Sequence, residues 1–226
     1  MAKKTDSLFR EVLEMVNPTE KDLFGIGKSL NSFIGKIENR RKKLRIKASI
    51  FVGGSFAKKT LIKKDIYDID IFIRFDKKYL KQDISGLTKK ILRNTKFTTL
   101  KGSRNYFRIK AGPRIFFEIV PVMEVKNPRE AGNITDLSYS HVNYIKRRIK
   151  SDKILDEIKI AKAFCYANRC YGAESYIRGF SGYGLELLIH HYKSFLKFAG
   201  AVAKSKDKIV IDIEKRYKNK RSSRTA

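Results

Sequence analysis

The chain has 226 residues, of which 51 are Lys or Arg and 23 are Asp or Glu, a formal net charge of +28. A hydrophobic content of 42% and an aromatic content of 12% are enough for a packed core, which excludes disorder along the whole chain. A charge this large repels itself in a compact fold, so a polyanionic partner is expected, nucleic acid first; a generally basic proteome is the plainer source of part of the excess. A membrane is the weaker choice, because no run of about 18 apolar residues is present.

The first residues, Met1-Ala2-Lys3-Lys4-Thr5-Asp6, lack the apolar stretch of a secretory signal. Pro18 and Thr19 open the first predicted helix, with Glu20 and Asp22 in its first turn, where the helix dipole favours acids. Leu23, Ile26, Leu30, Phe33 and Ile37 recur at helical spacing, and Arg40-Arg41-Lys42-Lys43 ends the helix. That basic run reads equally as a solvated turn or as an RNA contact. A strand over 46–52 follows, then the turn Gly53-Gly54-Ser55 and a short helical stretch. Tyr67 to Phe75 alternates as a strand should, with Asp68 and Asp70 on one face and Ile69, Ile71 and Ile73 on the other. Residues 79–95 read as an amphipathic helix, and 97–101, 104–111 and 114–121 as strands, with Gly112-Pro113 turning between the last two.

Beyond about residue 125 the pattern becomes helical, with helices expected at 139–149, 152–170 and 181–198. The chain is thus divided into a mixed half over 1–125, a helical half over 126–200 and a basic tail over 201–226 that includes Lys215, Arg216 and Lys218. Cys165 and Cys170 are five residues apart, a poor spacing for a bridge along a helix, and no Cys and His cluster completes a zinc site. Reduced thiols in a cytoplasm are expected.

The residues that carry chemistry are Gly53-Gly54-Ser55 and, about a dozen residues later, Asp68-Ile69-Asp70. Carboxylates at i and i+2 on a strand point the same way and suit hard divalent cations. Glu118, inside the apolar run Phe116-Phe117-Glu118-Ile119-Val120, is the best third ligand, since an acid there is costly without a partner. Two metal ions clamping the attacking and leaving oxygens are what nucleotidyl transfer requires. Glycines at a strand-to-helix turn let the backbone approach phosphates, and the Ser55 hydroxyl and the Lys58 ammonium add a donor and a charge.

The stretch from Gly53-Gly54-Ser55-Phe56-Ala57-Lys58 to Asp68-Ile69-Asp70-Ile71-Phe72 resembles the signature of the DNA polymerase β-type nucleotidyltransferases. Within them the chain resembles the archaeal (class I) CCA-adding tRNA nucleotidyltransferases. Asn133-Ile134-Thr135-Asp136-Leu137-Ser138 leading to His141 carries that match, as do Ile160-Ala161-Lys162-Ala163-Phe164, Tyr171-Gly172-Ala173-Glu174 and Arg178-Gly179-Phe180-Ser181-Gly182-Tyr183-Gly184-Leu185. The resemblance covers about residues 15–215.

It implies an α+β fold: a polymerase β-like head with a small mixed sheet, followed by an α-helical neck. It also implies two Mg²⁺ ions on Asp68, Asp70 and Glu118, and template-independent addition of CMP and AMP from CTP and ATP to an RNA, the tRNA 3′ end first. Carried over by position, the nucleotide-binding candidates are Ser55, Lys58, His141, Lys162 and Tyr171, with Ser181 and Tyr183 also expected to line the pocket and Gly54 added from the glycine turn; Arg178 is a candidate phosphate contact, and the charge of the basic tail makes Lys215, Arg216 and Lys218 candidates for RNA. The family usually has Arg at the position of Lys58, so bidentate phosphate binding is lost there. Plainer roles stand beside these: capping or packing for His141, surface exposure for Lys162, core packing for Tyr171 and an ion pair with Glu174 for Arg178. The body and tail domains of the familiar enzymes are expected to lie outside this chain, or beyond a boundary within a longer protein. The expectation is a compact member, or a homo-oligomer or partner chain that supplies the rest, with the basic tail replacing part of the missing grip on RNA. The alternatives kept open are a poly(A)-like or small-RNA tailing enzyme, a nucleotidyltransferase acting on protein or a small molecule, and an inactive RNA-binding relic.

Overall fold

A computed structural model describes residues 2–215; residues 216–226 of the basic tail, Arg216 and Lys218 among them, lie outside the described residues. Two compact units are present. One is Asn17–Tyr144; the other joins the first helix, α1 (Ala2–Val16), to the chain from Ile145 onward.

In the first unit, helix α2 (Glu20–Lys43) begins where its sequence predicts. Thr19 is the N-cap: its hydroxyl accepts the Asp22 N–H at 3.1 Å, and the Asp22 carboxylate accepts the Thr19 N–H at 3.3 Å. That carboxylate also accepts the hydroxyl of buried Tyr67 at 3.1 Å, which ties the helix start to the sheet. Strand β1 (Ala48–Val52) leads to the one-turn helix α3 (Gly54–Ala57) and then to β2 (Tyr67–Phe75). The single helix expected over 79–95 is instead a 3-10 turn, Lys77–Tyr79, and a separate helix α4 (Ile84–Ile91). The break has a local cause. Asp76 caps the turn by accepting the Lys78 N–H at 3.0 Å, and Asp83 restarts the chain as the α4 N-cap, accepting the Gly86 N–H at 2.9 Å.

Strands β3 (Thr98–Leu100), β4 (Tyr106–Lys110) and β5 (Ile115–Met123) complete a sheet of order β1-β2-β5-β4-β3. Only β2 and β5 run parallel; the other pairs are antiparallel. One face is apolar. Ile69, Ile71, Ile73 and Phe75 of β2, with Phe117 and Ile119 of β5 and Phe107 of β4, form one core with Ile26, Leu30 and Ile37 of α2. Each fully buried side chain of this size contributes roughly 1.5–3 kcal/mol. The opposite face carries Asp68, Asp70, Arg108 and Glu118, so the period of two separates core from site without further instruction.

After β5 the chain is pinned by Asp136. Its carboxylate is 2% exposed, accepts the Met123 N–H at 2.7 Å, and pairs with both terminal nitrogens of Arg104, one of them at 2.9 Å. Helix α5 (Ser138–Arg148) starts two residues later, and its Tyr139 packs edge-on against Phe51 at 5.0 Å under the Arg74 guanidinium.

The second unit is helical: α1, α6 (Asp152–Ala167), α7 (Gly182–Tyr192) and α8 (Phe195–Lys204). No helix was expected before Pro18, yet α1 half-buries Phe9, Val12, Leu13 and Val16, with Phe9 and Phe195 ring centroids 6.2 Å apart. The helix expected over 181–198 is two. Lys193 adopts a left-handed conformation (φ 65°) that ends α7, and the Ser194 hydroxyl caps α8 by accepting the Lys197 N–H at 3.2 Å. α6 stops at Ala167 rather than near 170, and Cys170 follows it; both cysteines are free thiols, with the buried Cys165 thiol pushed up to about 12 by desolvation and then by Cys170. No described helix is long and apolar enough to cross a membrane.

Asp136→Ala leaves Arg104 and the Met123 N–H without their buried acceptor. We expect it to lower the stability of the protein by about 3 kcal/mol in urea denaturation, while Leu8→Ala on the exposed side of α1 changes it by under about 0.5 kcal/mol.

Candidate active site

The site begins with the register of β2 on β5. Asp70 is aligned with Glu118, and Asp68 with Phe116, in the parallel pair. In the antiparallel pair on the other side of β5, Glu118 is aligned with Arg108. Three acids and one guanidinium therefore share one patch of the polar face. Arg108 Nη2 donates to Asp68 Oδ1 at 2.8 Å, and the guanidinium lies 4.2 Å from the Phe116 ring centroid. Its Nε–H is buried and has no hydrogen-bond partner. Arg108 is the site residue that sequence reasoning passes over. The signal is there: Tyr106-Phe107-Arg108-Ile109-Lys110 alternates, and the alternation sends Arg108 to the polar face.

Glu118 is half-buried, and its carboxyl is pushed up to about 7. Desolvation is the first cause; the charges of Asp70 and then Asp68 add to it, and Arg108 opposes them. Among the described residues no three His, Cys, Asp or Glu side chains are arranged to hold a metal ion. The donor set still fits a hard divalent cation by chemistry. It offers carboxylate oxygens on adjacent positions, and their mutual repulsion, felt at Glu118, is what a cation relieves.

The glycines are required by this patch. A Cβ on Gly54 would collide with the Asp70 carboxylate, and one on Gly53 with the Phe72 ring. Gly54 also has φ +59°, and the Gly53 N–H donates to the Asp70 carbonyl at 2.9 Å. So the turn after β1 is pressed directly onto the residue that carries the central carboxylate. Ser55 lies in α3, where its carbonyl accepts the Thr60 N–H at 2.9 Å, and Lys58 follows at the helix end; both are half-buried. His141 is half-buried in α5.

The second unit holds the other candidates. Lys162 is 2% exposed and pairs with Glu186, itself 0% exposed, at 3.3 Å, so it is a core residue of α6 rather than a surface one. Tyr171 stacks on Tyr166 with centroids 4.3 Å apart, and a Cβ on Gly182 would lie 2.7 Å from its hydroxyl. Ser181 is the α7 N-cap, accepting the Gly184 N–H at 3.0 Å, and Tyr183 is half-buried in the first turn of that helix. Arg178 is exposed with φ 53°, and its Nε donates to the Ser175 carbonyl at 3.2 Å. Lys215 is exposed.

Two family models match the chain: a nucleotidyltransferase domain over residues 34–115 and a tRNA nucleotidyltransferase second domain over 156–226. The CCA-adding enzyme of Nanoarchaeum equitans (strain Kin4-M) is 39% identical over 214 residues, covering 93% of this chain and 52% of that protein. That of Saccharolobus shibatae is 31% identical over 209 residues, covering 91% and 48%. The chain thus spans about half the length of the curated relatives it matches. Among solved structures, the Cid1 poly(U) polymerase in a MgGTP-bound form superposes with a TM-score of 0.64 at 14% identity, covering 85% of this chain and 56% of that one, which is a likeness of fold alone. The chain is therefore similar to the archaeal CCA-adding enzymes over about half of their length, and its two matched segments fit a nucleotidyltransferase domain and a tRNA nucleotidyltransferase second domain.

Proposed function

We propose that this chain adds CMP and AMP from CTP and ATP to an RNA 3′ end without a template, releasing pyrophosphate, with the tRNA 3′ end as the acceptor. CCA addition, complete or partial, is the product in this reading. The observation that carries it is the register that sets Asp70 beside Glu118, with Asp68 two residues along, over a glycine turn pressed against Asp70.

The residues divide the work. Asp68, Asp70 and Glu118 would hold two Mg²⁺ ions, which when bound supply Lewis-acid stabilisation of the attacking and leaving oxygens. Gly54 and Ser55 offer backbone and hydroxyl donors for a triphosphate, and Lys58 adds a positive charge. Further nucleotide contacts are assigned to His141 in the first unit and to Lys162, Tyr171, Ser181 and Tyr183 in the second. Lys162 would meet a phosphate while paired with Glu186 or in exchange for it, and Ser181 contributes beside its capping role. Arg178, Lys215, Arg216 and Lys218 are assigned to RNA, in keeping with the net charge of +28. We place the reaction in the cytoplasm, where the two free thiols stay reduced.

With Mg²⁺, CTP, ATP and a tRNA transcript lacking its 3′ end, sequencing of the products should show C, C and A added in order, or a defined part of that series. Homopolymer tails would replace this reading with that of a tailing enzyme. Asp70→Ala should lower turnover by roughly 10³-fold or more and leave RNA affinity within about twofold in a filter-binding assay.

Glu118 gives a pH dependence of known sign. Its carboxyl rises from 4.5 in the unfolded chain to about 7 in the fold. The unfolded state therefore releases this proton first as pH rises, and metal-free stability falls between about 4.5 and about 7. Thermal unfolding in a chelator should show that fall, and Glu118→Gln should flatten it. Deletion of residues 215–226 should weaken RNA binding and lower the slope of log Kd against log salt by about 0.7 for each phosphate that the tail neutralises.

A further inference from the structure

Arg108 sits inside the carboxylate patch without a share in the proposed reaction. It is aligned with Glu118 across β4 and β5, and its Nη2 donates to Asp68 Oδ1 at 2.8 Å. Its side chain is 33% exposed and that of Asp68 42%, so this is an ion pair at the open edge of the patch and not a core staple. The geometry of the pair is incomplete. A guanidinium is built to offer a two-pronged fork to a carboxylate, but here a single nitrogen reaches one oxygen, and the neighbouring Nε–H is buried with no acceptor. Stability alone would select the fork. A one-point contact with a stranded donor is what remains when the guanidinium is placed by its strand and by the Phe116 ring, 4.2 Å away, rather than by Asp68.

Electrostatics gives this placement a consequence. Without a cation, the charges of Asp70 and Asp68 act on Glu118, and Arg108 is the positive charge that opposes their effect. A cation that takes Asp68 as a ligand shares the carboxylate with Arg108, which engages Oδ1, or displaces it, and in either case bears the repulsion of the guanidinium.

We infer that Arg108 is a positioning residue of the carboxylate patch, a built-in counter-ion that holds Asp68 in the metal-free protein and competes with the divalent cation for it. The inference rests on the proposed reading of Asp68 as a metal ligand. It makes Arg108 a brake on metal affinity, set so that the patch tolerates a metal-free interval and still accepts metal with the nucleotide.

The test is equilibrium Mn²⁺ binding to the full chain without nucleotide, followed by the electron paramagnetic resonance signal of free Mn²⁺, for the wild type and for Arg108→Met, Arg108→Lys and Asp68→Asn. Met keeps the bulk and the packing on Phe116 but removes the charge, and should bind Mn²⁺ about tenfold more tightly. Lys keeps the charge and should stay within about twofold of the wild type. The metal-free Arg108→Met protein should melt lower than the wild type, and saturating Mn²⁺ should raise its melting temperature by more than it raises that of the wild type. If Arg108→Met is folded and binds Mn²⁺ no more tightly than the wild type, the inference is overturned. If Arg108→Met is too unstable to titrate, a tighter-binding Arg108→Gln protein supports the inference and an unchanged one overturns it. If Asp68→Asn leaves affinity unchanged, the metal-ligand reading of Asp68 itself has failed, which separates the two outcomes.

Discussion

The parallel pairing of β2 with β5 is the constraint on which the rest depends. A parallel pair has one register that buries Ile69, Ile71 and Ile73 together with Phe117 and Ile119, and that register puts Asp70 beside Glu118 on the far face. A slip of one residue would bury the acids and expose the isoleucines. The apolar core therefore enforces the geometry of the acidic patch, and the fold tolerates the repulsion among the acids because the core dictates the register. The glycine turn follows from the same pairing. It closes against Asp70 and Phe72 so tightly that a side chain at Gly53 or Gly54 has no room.

Charges at the proposed functional positions are answered inside the protein. Asp68 is held by Arg108, and Lys162 by Glu186. The two pairs differ in kind. Lys162 and Glu186 are both buried, and breaking such a pair by removing one partner leaves an uncompensated charge in a poorly solvating interior. Arg108 and Asp68 are part-exposed, so their exchange for a ligand is the easier one. Asp136 with Arg104 belongs to a third kind. It carries no proposed chemistry, but it fastens the segment after β5 to the sheet and so sets where α5 and His141 begin.

Much of this is legible in the sequence. The alternation of Tyr67 to Phe75 identifies β2 to the residue, because a half-buried strand with acids on one face has no competing period. Glu118 stands out as an acid inside an apolar run, and the structure aligns it with Asp70. The glycines read as room for phosphate; the pairing of β1 with β2 adds a packing demand, because a Cβ there would meet Asp70 or Phe72. Arg108 escapes notice because its significance lies in a cross-strand partner rather than in a motif. The break between α7 and α8 is hidden because Lys193 is a poor predictor of a left-handed turn, and α1 because its half-buried face is recognisable only against helices distant in sequence.

We propose that the β2–β5 register builds a divalent-metal site for nucleotidyl transfer. Crystals grown with Mn²⁺ and CTP, recorded at the manganese absorption edge, test it most directly. Anomalous density should then lie on Asp68, Asp70 and Glu118, with Arg108 drawn away from Asp68. Anomalous density bound elsewhere, with the Arg108–Asp68 pair intact and Glu118 without a cation, would contradict it.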